Sequence, residues 1–297
     1  MQKKTGEEPQ WTILKVLHWT TSYFKSHDIE NPRVDAEILL AHVLESERID
    51  LYTRFDLPLS QNELADFKSL IKRRISREPV AYIVGEKGFW SLDIEVTGDV
   101  LIPRPETECL VEEAVGLLPA GQGGKRVLEV GTGSGAIILA LASERPDNLF
   151  FASDHSVRAV ELARKNAVRC GLAESVCFFS GNWFLPLKSD SPRFDMVLSN
   201  PPYIRTGVIG QLQPEIFKYE PLMALDGGKD GLDCISYIIR SAPFYLNRGG
   251  HLLLEIGHDQ KDAVQEIIRD CGRYEHVCFI KDYGGHDRVV RMVKRET

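Results

Sequence analysis

The chain has 297 residues, enough for one large or two modest domains, with 43% hydrophobic and 27% charged residues. This composition is typical of a folded globular protein and excludes collagenous, coiled-coil and disordered chains. The net charge of −7 argues against a protein that binds by neutralising many nucleic-acid phosphates. The longest apolar run, around residues 135–142, is far below the ~20 residues that a membrane helix needs.

The first residues, MQKKTGEEPQ, carry mixed charge without the apolar core of a secretory signal. The six cysteines form no C-x-x-C pair, and none has a histidine at zinc-ligand spacing. We therefore expect a cytoplasmic protein with reduced thiols, no membrane segment and no metal site.

Residues 1–85 are predicted to form a small helical bundle. Apolar residues recur at the spacing of a helical face in two stretches, at Ile13, Leu17 and Phe24 and then at Val34, Ile38, Leu39 and Val43. Asn31 is the expected N-cap of the second helix, followed by Pro32 in its first turn.

A further helix is predicted to begin after Ser60 and to continue to about residue 77. Ser60 and Glu63 have the spacing of a capping box. The helix carries a dense basic run, Lys72, Arg73, Arg74 and Arg77. Such a run on a helix is typical of a solvated face.

Residues 86–105 change character and are predicted to link two domains. EKGFWSLDIEV is predicted to form either a β-hairpin with its turn at residues 91–93 or an extended linker. In LIPRPETE, Pro103 and Pro105 impose an extended backbone.

Strand-like and helix-like segments alternate over residues 106–297, which predicts an α/β domain with a mostly parallel sheet covered on both faces. The predicted strands are 126–130, 149–153, 176–179, 194–199, 251–256, 276–280 and 288–293. The predicted helices are 107–118, 135–144, 157–171, 232–246 and 260–270. The loop between the last two strands is too short for a parallel crossover, so this pair should be antiparallel.

The strongest local motif is VLEVGTGSGA, residues 127–136. A buried strand leads into Gly131, Gly133 and Gly135, which allow a sharp turn and a close approach of the backbone to a ligand. The helix that starts there directs free N–H groups at the ligand, and Asp154, after the next strand, can bind both hydroxyls of a ribose. These features predict a nucleoside-cofactor site, although Gly131, Gly133 and Ala136 also satisfy the dinucleotide pattern G-x-G-x-x-G/A.

A second motif, Asn200, Pro201, Pro202 and Tyr203, follows the predicted strand 194–199. The prolines fix the backbone and donate no N–H. The Asn200 side-chain oxygen and the Pro201 carbonyl are therefore two fixed acceptors that can bind one amino group, and Tyr203 offers a ring for stacking on a planar group. This motif favours the presentation of an amino group to an electrophile over hydride transfer.

Together the two motifs resemble class I S-adenosylmethionine-dependent methyltransferases that act on amino groups. The N-terminal helices, VGEKGFWSLDIEV, LIPRPETE and the spacing to the glycine motif extend the resemblance, over nearly the whole chain, to the release-factor glutamine methyltransferase (HemK/PrmC) family. The resemblance implies a Rossmann-like domain with a seven-stranded sheet and S-adenosylmethionine as cofactor. The implied protein partners are class 1 peptide-chain release factors, with N5-methylglutamine as product in their Gly-Gly-Gln motif.

Matching positions within this resemblance imply which residues bind each ligand. The implied cofactor-binding residues are Glu129 near the methionine amino group, Gly131, Thr132, Gly133, Ser134 and Gly135 in the turn, Asp154 at the ribose, Trp183 beside the adenine, and Asn200. The implied substrate-binding residues are Asn200, Pro201, Pro202 and Tyr203, of which Asn200, Pro201 and Tyr203 are the implied catalytic residues. Asn182 stands where family members often carry Asp. Glu255 is a candidate support behind the cofactor pocket.

Two other functions stay open at this point: amino-methylation of adenine or guanine in nucleic acid, where Asn-Pro-Pro-Tyr-type motifs also occur, and cofactor-binding regulation without catalysis. A base-flipping enzyme must hold phosphates, and this acidic chain has no basic segment interleaved with aromatics. The complete motif at residues 200–203 argues against a regulator. Residues 1–85 are expected to dock the release factor, because a pocket alone cannot select one loop of a large protein.

Overall fold

A computed structural model describes residues 10–188 and 193–296. The chain divides into two units. Unit 1 contains the chain up to Gly85 together with the short helix Pro214–Tyr219, and unit 2 contains Glu86–Gln213 and the chain from Glu220 onward. No pattern in the sequence predicted that a helix from the second half of the chain would join unit 1.

Unit 1 is helical. Its helices in the first part of the chain are α1 Ile13–Lys25, α2 Pro32–Val43, α3 Asp50–Thr53, α4 Gln61–Ile75 and α5 Val80–Val84. The predicted face of α1 is confirmed, since Ile13, Leu17 and Phe24 are all buried. The capping box is also confirmed: Ser60 Oγ accepts from the Glu63 N–H at 3.3 Å, and Glu63 Oε2 accepts from the Ser60 N–H at 2.6 Å.

The predictions for α2 are partly wrong. Asn31 occupies the N-cap position but its side chain makes no capping hydrogen bond. Val34 is exposed, whereas the acidic residues Asp35 and Glu37 are buried. These carboxylates tolerate burial because each is paired, Asp35 with Arg74 at 2.8 Å and Glu37 with two arginines. The apolar spacing that predicted the buried face carries no information about such partners.

The prediction of a solvated basic face on α4 is wrong for Arg74, which is 5% exposed. Its guanidinium bridges Asp35 and, at 3.0 Å, Glu215 of the helix Pro214–Tyr219. Arg77 also pairs with Glu215, at 3.1 Å. This part of the basic run therefore holds unit 1 together.

Unit 2 begins with the hairpin β1 Glu86–Phe89 and β2 Leu92–Glu95. The predicted turn at residues 91–93 is misplaced, because Leu92 already belongs to β2 and the turn lies at residues 90 and 91. Trp90 adopts a φ of 55° there, a backbone conformation rare for a residue other than glycine. The prediction had relied on turn propensity, which favours Ser91 and Asp93, the polar residues that follow Trp90.

The remaining helices and strands alternate as predicted, except for the short helix Pro214–Tyr219, which was not predicted. They are α6 Glu108–Leu117, β3 Arg126–Val130, α7 Ala136–Glu144, β4 Leu149–Asp154, α8 Val157–Arg169, β5 Val176–Ser180, β6 Phe194–Ser199, α9 Pro214–Tyr219 (in unit 1), α10 Asp233–Ser241, β7 Leu246–Glu255, α11 Lys261–Cys271, β8 Tyr274–Lys281 and β9 Asp287–Lys294. The predicted bounds of β3 and β6 are confirmed residue for residue. The predicted helix 232–246 is too long, because α10 ends at Ser241 and β7 begins at Leu246.

The seven strands β3–β9 form one sheet in the order β5-β4-β3-β6-β7-β9-β8. Strands β3 to β7 are parallel, and β9 inserts antiparallel between β7 and β8. The predicted α/β class with a mostly parallel seven-stranded sheet and an antiparallel last strand is confirmed. On one face, Leu128, Val197 and Leu252 share a buried core with Ile235 and Ile238 of α10. No helix in the described ranges is both long and apolar enough to cross a bilayer.

Buried Asn166 of α8 ties the hairpin to the turn that follows β3. Its Nδ2 donates to the Ser134 carbonyl at 2.9 Å and to the Glu95 carbonyl at 3.0 Å, and its Oδ1 accepts from the Glu95 N–H at 2.9 Å. One amide side chain thus satisfies three backbone groups of two segments far apart in the chain.

We predict that Asn166→Ala destabilises unit 2, because each buried backbone group left unpaired costs about 1–3 kcal/mol. Release of Ser134 should also weaken ligand binding at the glycine turn. Denaturant titration measures the first effect, and calorimetric titration with S-adenosylmethionine, the cofactor that the resemblance implies, measures the second. The matched control is Asn148→Ala, which breaks bonds to Lys125 and Arg145 at the other end of the strands and should reduce stability alone. Equal effects of both variants on cofactor affinity would contradict this account.

Candidate active site

A cavity of about 880 Å³ opens in unit 2 where β3, β4 and β6 end. This volume is in the range of small-molecule binding sites. The residues of its wall come from the glycine turn, the ends of β4 and β6, the linker 98–107, and two loops. The described lining includes Gly131, Thr132, Gly133, Ser134, Asp154, Asn182, Trp183, Asn200 and Pro202, with Arg104, Thr107 and Pro221, Leu222, Met223 and Ala224.

The turn after β3 needs glycine for its backbone conformation. Gly131 and Gly135 have φ values of 77° and 84°, in the left-handed region that other residues rarely adopt. At Gly135 a Cβ would also lie 3.1 Å from the Cβ of Ala163, so a side chain would push α7 away from α8. The turn therefore delivers the N-terminus of α7 to the cavity wall, as the motif predicted.

Asp154 ends β4 and lines the cavity with a pre-oriented carboxylate. Oδ2 accepts from the Gly133 N–H at 2.9 Å, and Oδ1 accepts from the Ser156 N–H at 2.8 Å. Burial raises the pKa of Asp154, and these two N–H groups act in the opposite direction. Each oxygen keeps a further lone pair, so the fixed carboxylate can accept from two hydroxyls of a ligand.

Glu129 lies beneath the glycine turn and is not among the described residues that line the cavity. Its Oε2 accepts from the Thr132 hydroxyl at 2.6 Å, whereas Oε1 is buried without a hydrogen-bond partner in the described chain. Burial raises the pKa of Glu129 to about 8, although the Thr132 hydroxyl and the Ile138 N–H lower it. The side chain thus braces Thr132, and a contact with a cofactor amino group stays a prediction.

Trp183 and Asn182 both line the cavity after β5. Trp183 has a φ of 51°, and its ring lies 3.6 Å from the position that a Cβ would take on Gly131. The indole thus forms an apolar wall directly over the glycine turn. This placement suits a planar, apolar ligand group, as the resemblance implied for the adenine.

The end of β6 brings the second motif beside the first. Ser199 Oγ donates to the Val130 carbonyl at 2.6 Å, which ties the end of β6 to the end of β3. The next residue, Asn200, lines the cavity, and its Nδ2 donates to Thr107 Oγ1 at 3.2 Å. This bond leaves Asn200 Oδ1 as the side-chain atom that can accept from a ligand.

Tyr203 is not among the residues that line the cavity. It packs against the core, and its hydroxyl donates to Glu255 Oε1 at 3.0 Å. Burial and the neighbouring Glu255 raise the pKa of this phenol. Pro201 is also outside the described lining. The structure thus gives Tyr203 an anchoring contact, and its stacking on a substrate stays a prediction.

Sequence reasoning missed two parts of the site. Thr107 was predicted as a helix start, whereas its side chain contacts Asn200. Arg104 pairs with buried Glu220 at 2.5 Å and lines the cavity with the exposed Leu222 and Met223. The prolines of LIPRPETE signalled a fixed backbone here but not its partners. No group of His, Cys, Asp or Glu able to hold a metal occurs within residues 10–188 and 193–296.

Comparison with known proteins identifies the family of the chain. The family described as "PrmC N-terminal domain" matches residues 15–85, and "Methyltransferase small domain" matches residues 109–218. The release factor glutamine methyltransferase of Geobacter sulfurreducens is 44% identical over 96% of this chain and 98% of its own length. The chain belongs to the release factor glutamine methyltransferase family. The family member from Vibrio cholerae is 42% identical, over 94% of this chain and 95% of its own length.

A solved structure supports the fold of this family member. The crystal structure of a methyltransferase from Pyrococcus furiosus has a TM-score of 0.51 and 22% identity, covering 80% of this chain and 100% of that one. The resemblance predicted from the motifs is confirmed by the relatives, and the fold class by the sheet.

We predict that Asp154→Ala weakens cofactor binding at least about tenfold, because a hydrogen bond to a charged acceptor contributes roughly 1.5–3 kcal/mol. Isothermal titration calorimetry with S-adenosylmethionine, the cofactor that the resemblance implies, measures this change in Kd. Asp195→Ala is the matched control, since Asp195 pairs with Lys125 and the Arg126 N–H at the start of the strands. Unchanged affinity in Asp154→Ala would remove this carboxylate from the site.

The buried Glu129 predicts a pH-dependent stability of the ligand-free enzyme. Its pKa of about 8 in the folded state exceeds the usual 4.5, so the stability it contributes is present at low pH and is lost as the pH rises through 8. Glu129→Gln lacks this loss. In thermal unfolding measured from pH 5 to pH 9, the Tm of Glu129→Gln should therefore rise relative to the Tm of the wild type as the pH increases. Parallel curves would exclude the effect.

Proposed function

We propose that this enzyme transfers a methyl group from S-adenosylmethionine to the side-chain amide nitrogen of the glutamine in the Gly-Gly-Gln motif of class 1 release factors, in the cytoplasm. The observation that carries the proposal is the placement of Asn200 at the cavity wall, with Nδ2 committed to Thr107 and Oδ1 left to accept. Membership of the family supports the choice of substrate.

The residues of the cavity fit the proposed cofactor. Gly131 and Gly133 would accommodate its methionine part, Asp154 its ribose hydroxyls, and Trp183 its adenine. Oε1 of Glu129, buried beneath the turn without a hydrogen-bond partner in the described chain, would be the polar atom nearest to the cationic amino group of the cofactor's methionine part. The cofactor supplies an electrophilic methyl group on a sulfonium.

The chain's own task is to prepare a poor nucleophile. The lone pair of an amide nitrogen is delocalised into its carbonyl, and two acceptors that each take one N–H can hold the nitrogen with its lone pair facing the methyl group. Asn200 Oδ1 and the Pro201 carbonyl would be these acceptors. The rate enhancement would then come from positioning the amide nitrogen for in-line displacement at the methyl group.

No dedicated general base is needed, since the proton can leave after methyl transfer. The motif at residues 200–203 contains no His, Glu or Lys. The buried Glu255 contacts Tyr203 and is not part of the described cavity wall.

Methylation of adenine or guanine in nucleic acid is the rival function, because it uses a similar motif. The net charge of −7 and the ion pairs that occupy Arg74 and Arg77 argue against it. Filter binding to tRNA, rRNA and DNA at physiological salt distinguishes methylation of the release factor from methylation of nucleic acid. Tight binding with a steep salt dependence would favour the rival.

We infer that unit 1 docks the release factor through an exposed apolar surface. Trp11, Leu14, Phe55 and Leu57 are exposed, and the backbone bonds Ile13 N–H to Leu57 O at 3.0 Å and Leu14 N–H to Phe55 O at 2.9 Å bring their segments together. Clustered apolar side chains on a surface are typical of protein interaction sites. We call these four residues the Trp11 surface.

We predict that Asn200→Ala lowers kcat for release-factor methylation by roughly 10²–10³-fold, as for the loss of one preorganised hydrogen-bond partner. Cofactor affinity should change little. Asn247→Ala, which removes a bond to Asp195 at the other end of β6, is the matched control. A near-normal kcat in Asn200→Ala would refute the proposed role of the motif.

We predict that Phe55→Ser combined with Leu57→Ser raises KM for the release factor about tenfold or more and leaves kcat unchanged, because interface hot spots contribute about 1–2 kcal/mol or more each. Substitutions are preferred to deletion of residues 1–85, since Glu215 relies on Arg74 and Arg77. Leu149→Ser, at an equally exposed position of unit 2, is the control. An unchanged KM would exclude the Trp11 surface.

A further inference from the structure

The buried side chain of Gln260 joins the motif at residues 200–203 to the loop 221–231. Gln260 is the residue before α11 and is 4% exposed. Its Nε2 donates to the Tyr203 carbonyl and to the Gly231 carbonyl, both at 3.0 Å. The motif and the loop each contribute residues to the cavity wall. One side-chain amide therefore holds together two segments of that wall.

The orientation of the Gln260 amide is fixed by its own turn. The Gly257 N–H donates to Gln260 Oε1 at 2.8 Å, and the Gln260 N–H donates to the Gly257 carbonyl at 3.0 Å. The reversed amide would place Oε1 against two carbonyl oxygens and Nε2 against an N–H. All hydrogen-bonding groups of the side chain are thus matched in one orientation only.

The loop 221–231 packs directly on the backbone of the motif. The Ile204 N–H donates to the Leu225 carbonyl at 3.0 Å, and the Gly227 N–H donates to the Ile204 carbonyl at 2.8 Å. A Cβ on Gly227 would lie 2.8 Å from the Pro202 carbonyl oxygen. No side chain fits between the loop and the motif, so the loop supports the motif from one side.

These contacts matter for the direction of the Pro201 carbonyl, one of the two acceptors in the proposed mechanism. The hydroxyl of Ser199 fixes the start of the motif to β3 at 2.6 Å. The two prolines that follow Asn200 have a fixed φ, so few torsions stay free between the start of the motif and Tyr203. A displaced Tyr203 carbonyl would therefore turn the Pro201 carbonyl away from the substrate.

We propose that Gln260 is a positioning residue for the methyl transfer: it holds the Tyr203 carbonyl against the loop 221–231 and thereby aims the Pro201 carbonyl and Asn200 at the substrate amide. The inference rests on the proposed function. Gln260 is not among the described residues that line the cavity, so it acts through the motif. The Tyr203 hydroxyl is anchored separately, by Glu255, and keeps the ring in the core when Gln260 is replaced.

Steady-state kinetics on a purified class 1 release factor test the proposal. Gln260→Met keeps the length of the side chain and removes both donated hydrogen bonds. We expect kcat to fall about ten- to a hundredfold, since small misplacements of a reacting group have effects of this size. The KM for the release factor should stay within about twofold, because the variant leaves the Trp11 surface unchanged. The Kd for S-adenosylmethionine, measured by calorimetry, should also stay within about twofold.

Gln260→Glu provides a second test that keeps the volume of the side chain. It retains the acceptor for the Gly257 N–H and offers, even when protonated, at most one hydrogen to two carbonyls. It should lower kcat by a similar factor. If Gln260→Met does not fold, Gln260→Glu decides the matter. A kcat within about twofold of wild type in either folded variant would overturn the proposal.

Asn148→Leu is the matched control for lost stability. Asn148 is 7% exposed, and its amide also bonds two backbone groups, the Lys125 N–H and the Arg145 carbonyl, both at 3.1 Å. These groups lie at the other end of the strands. Assayed at a temperature where circular dichroism shows every variant folded, Asn148→Leu should keep the kcat of the wild type. An equal loss of kcat in both variants would contradict a positioning role.

A double-mutant cycle with Asn200 tests whether Gln260 acts through the motif. Asn200→Ala already removes one of the two acceptors, so Gln260→Met should lower kcat by a smaller factor in that background than in the wild type. The same factor in both backgrounds would contradict the proposal. Failure of the proposed function looks different, because the wild-type enzyme itself would then transfer no methyl group to the release factor.

Discussion

The parallel pairing of β3 with β6 is the constraint on which the rest of the site depends. In this register Glu129 lies opposite Leu198, and the Ser199 hydroxyl closes the pair by donating to the Val130 carbonyl. The residues that follow are the first glycine of the turn and Asn200. Because parallel strands end at the same edge of a sheet, this pairing alone brings the ligand turn and the amide motif to one cavity.

Two buried glutamates serve the two motifs in a similar way. Glu129 accepts from the hydroxyl of Thr132 in the glycine turn, and Glu255 accepts from the hydroxyl of Tyr203 at the end of the amide motif. Each keeps one oxygen without a hydrogen bond in the described chain, and burial raises the pKa of both. Burying a carboxyl is costly unless it is paired. We infer that these costs are tolerated because each carboxyl fixes a loop that must hold one geometry.

The sequence predicted those features that depend on local pattern. The bounds of β3 and β6, the capping box at Ser60 and the order of helices and strands follow from apolar periodicity and known end signals. The positions of Asp154 and Asn200 at the cavity follow from their places at strand ends. The turn of the hairpin was misplaced because it lies at Trp90, which has an unusual φ of 55° and donates hydrogen bonds to the distant Glu108 and Glu144.

Features that depend on distant partners were not predictable from one sequence. The burial of Asp35 depends on Arg74, and the hydrogen-bond partner of Asn200 Nδ2 is Thr107, 93 positions away. The membership of the helix Pro214–Tyr219 in unit 1 depends on ion pairs of the same long range. Charge and hydroxyl pairings of this kind leave no periodic signal in the chain.

The most direct test of the account is peptide mass mapping of a purified class 1 release factor after incubation with the enzyme and S-adenosylmethionine. The account predicts one added methyl group, on the side-chain amide of the glutamine in the peptide that contains Gly-Gly-Gln, and none when that glutamine is replaced. A methyl group on another residue, or methylation of nucleic acid with none on the release factor, would contradict it.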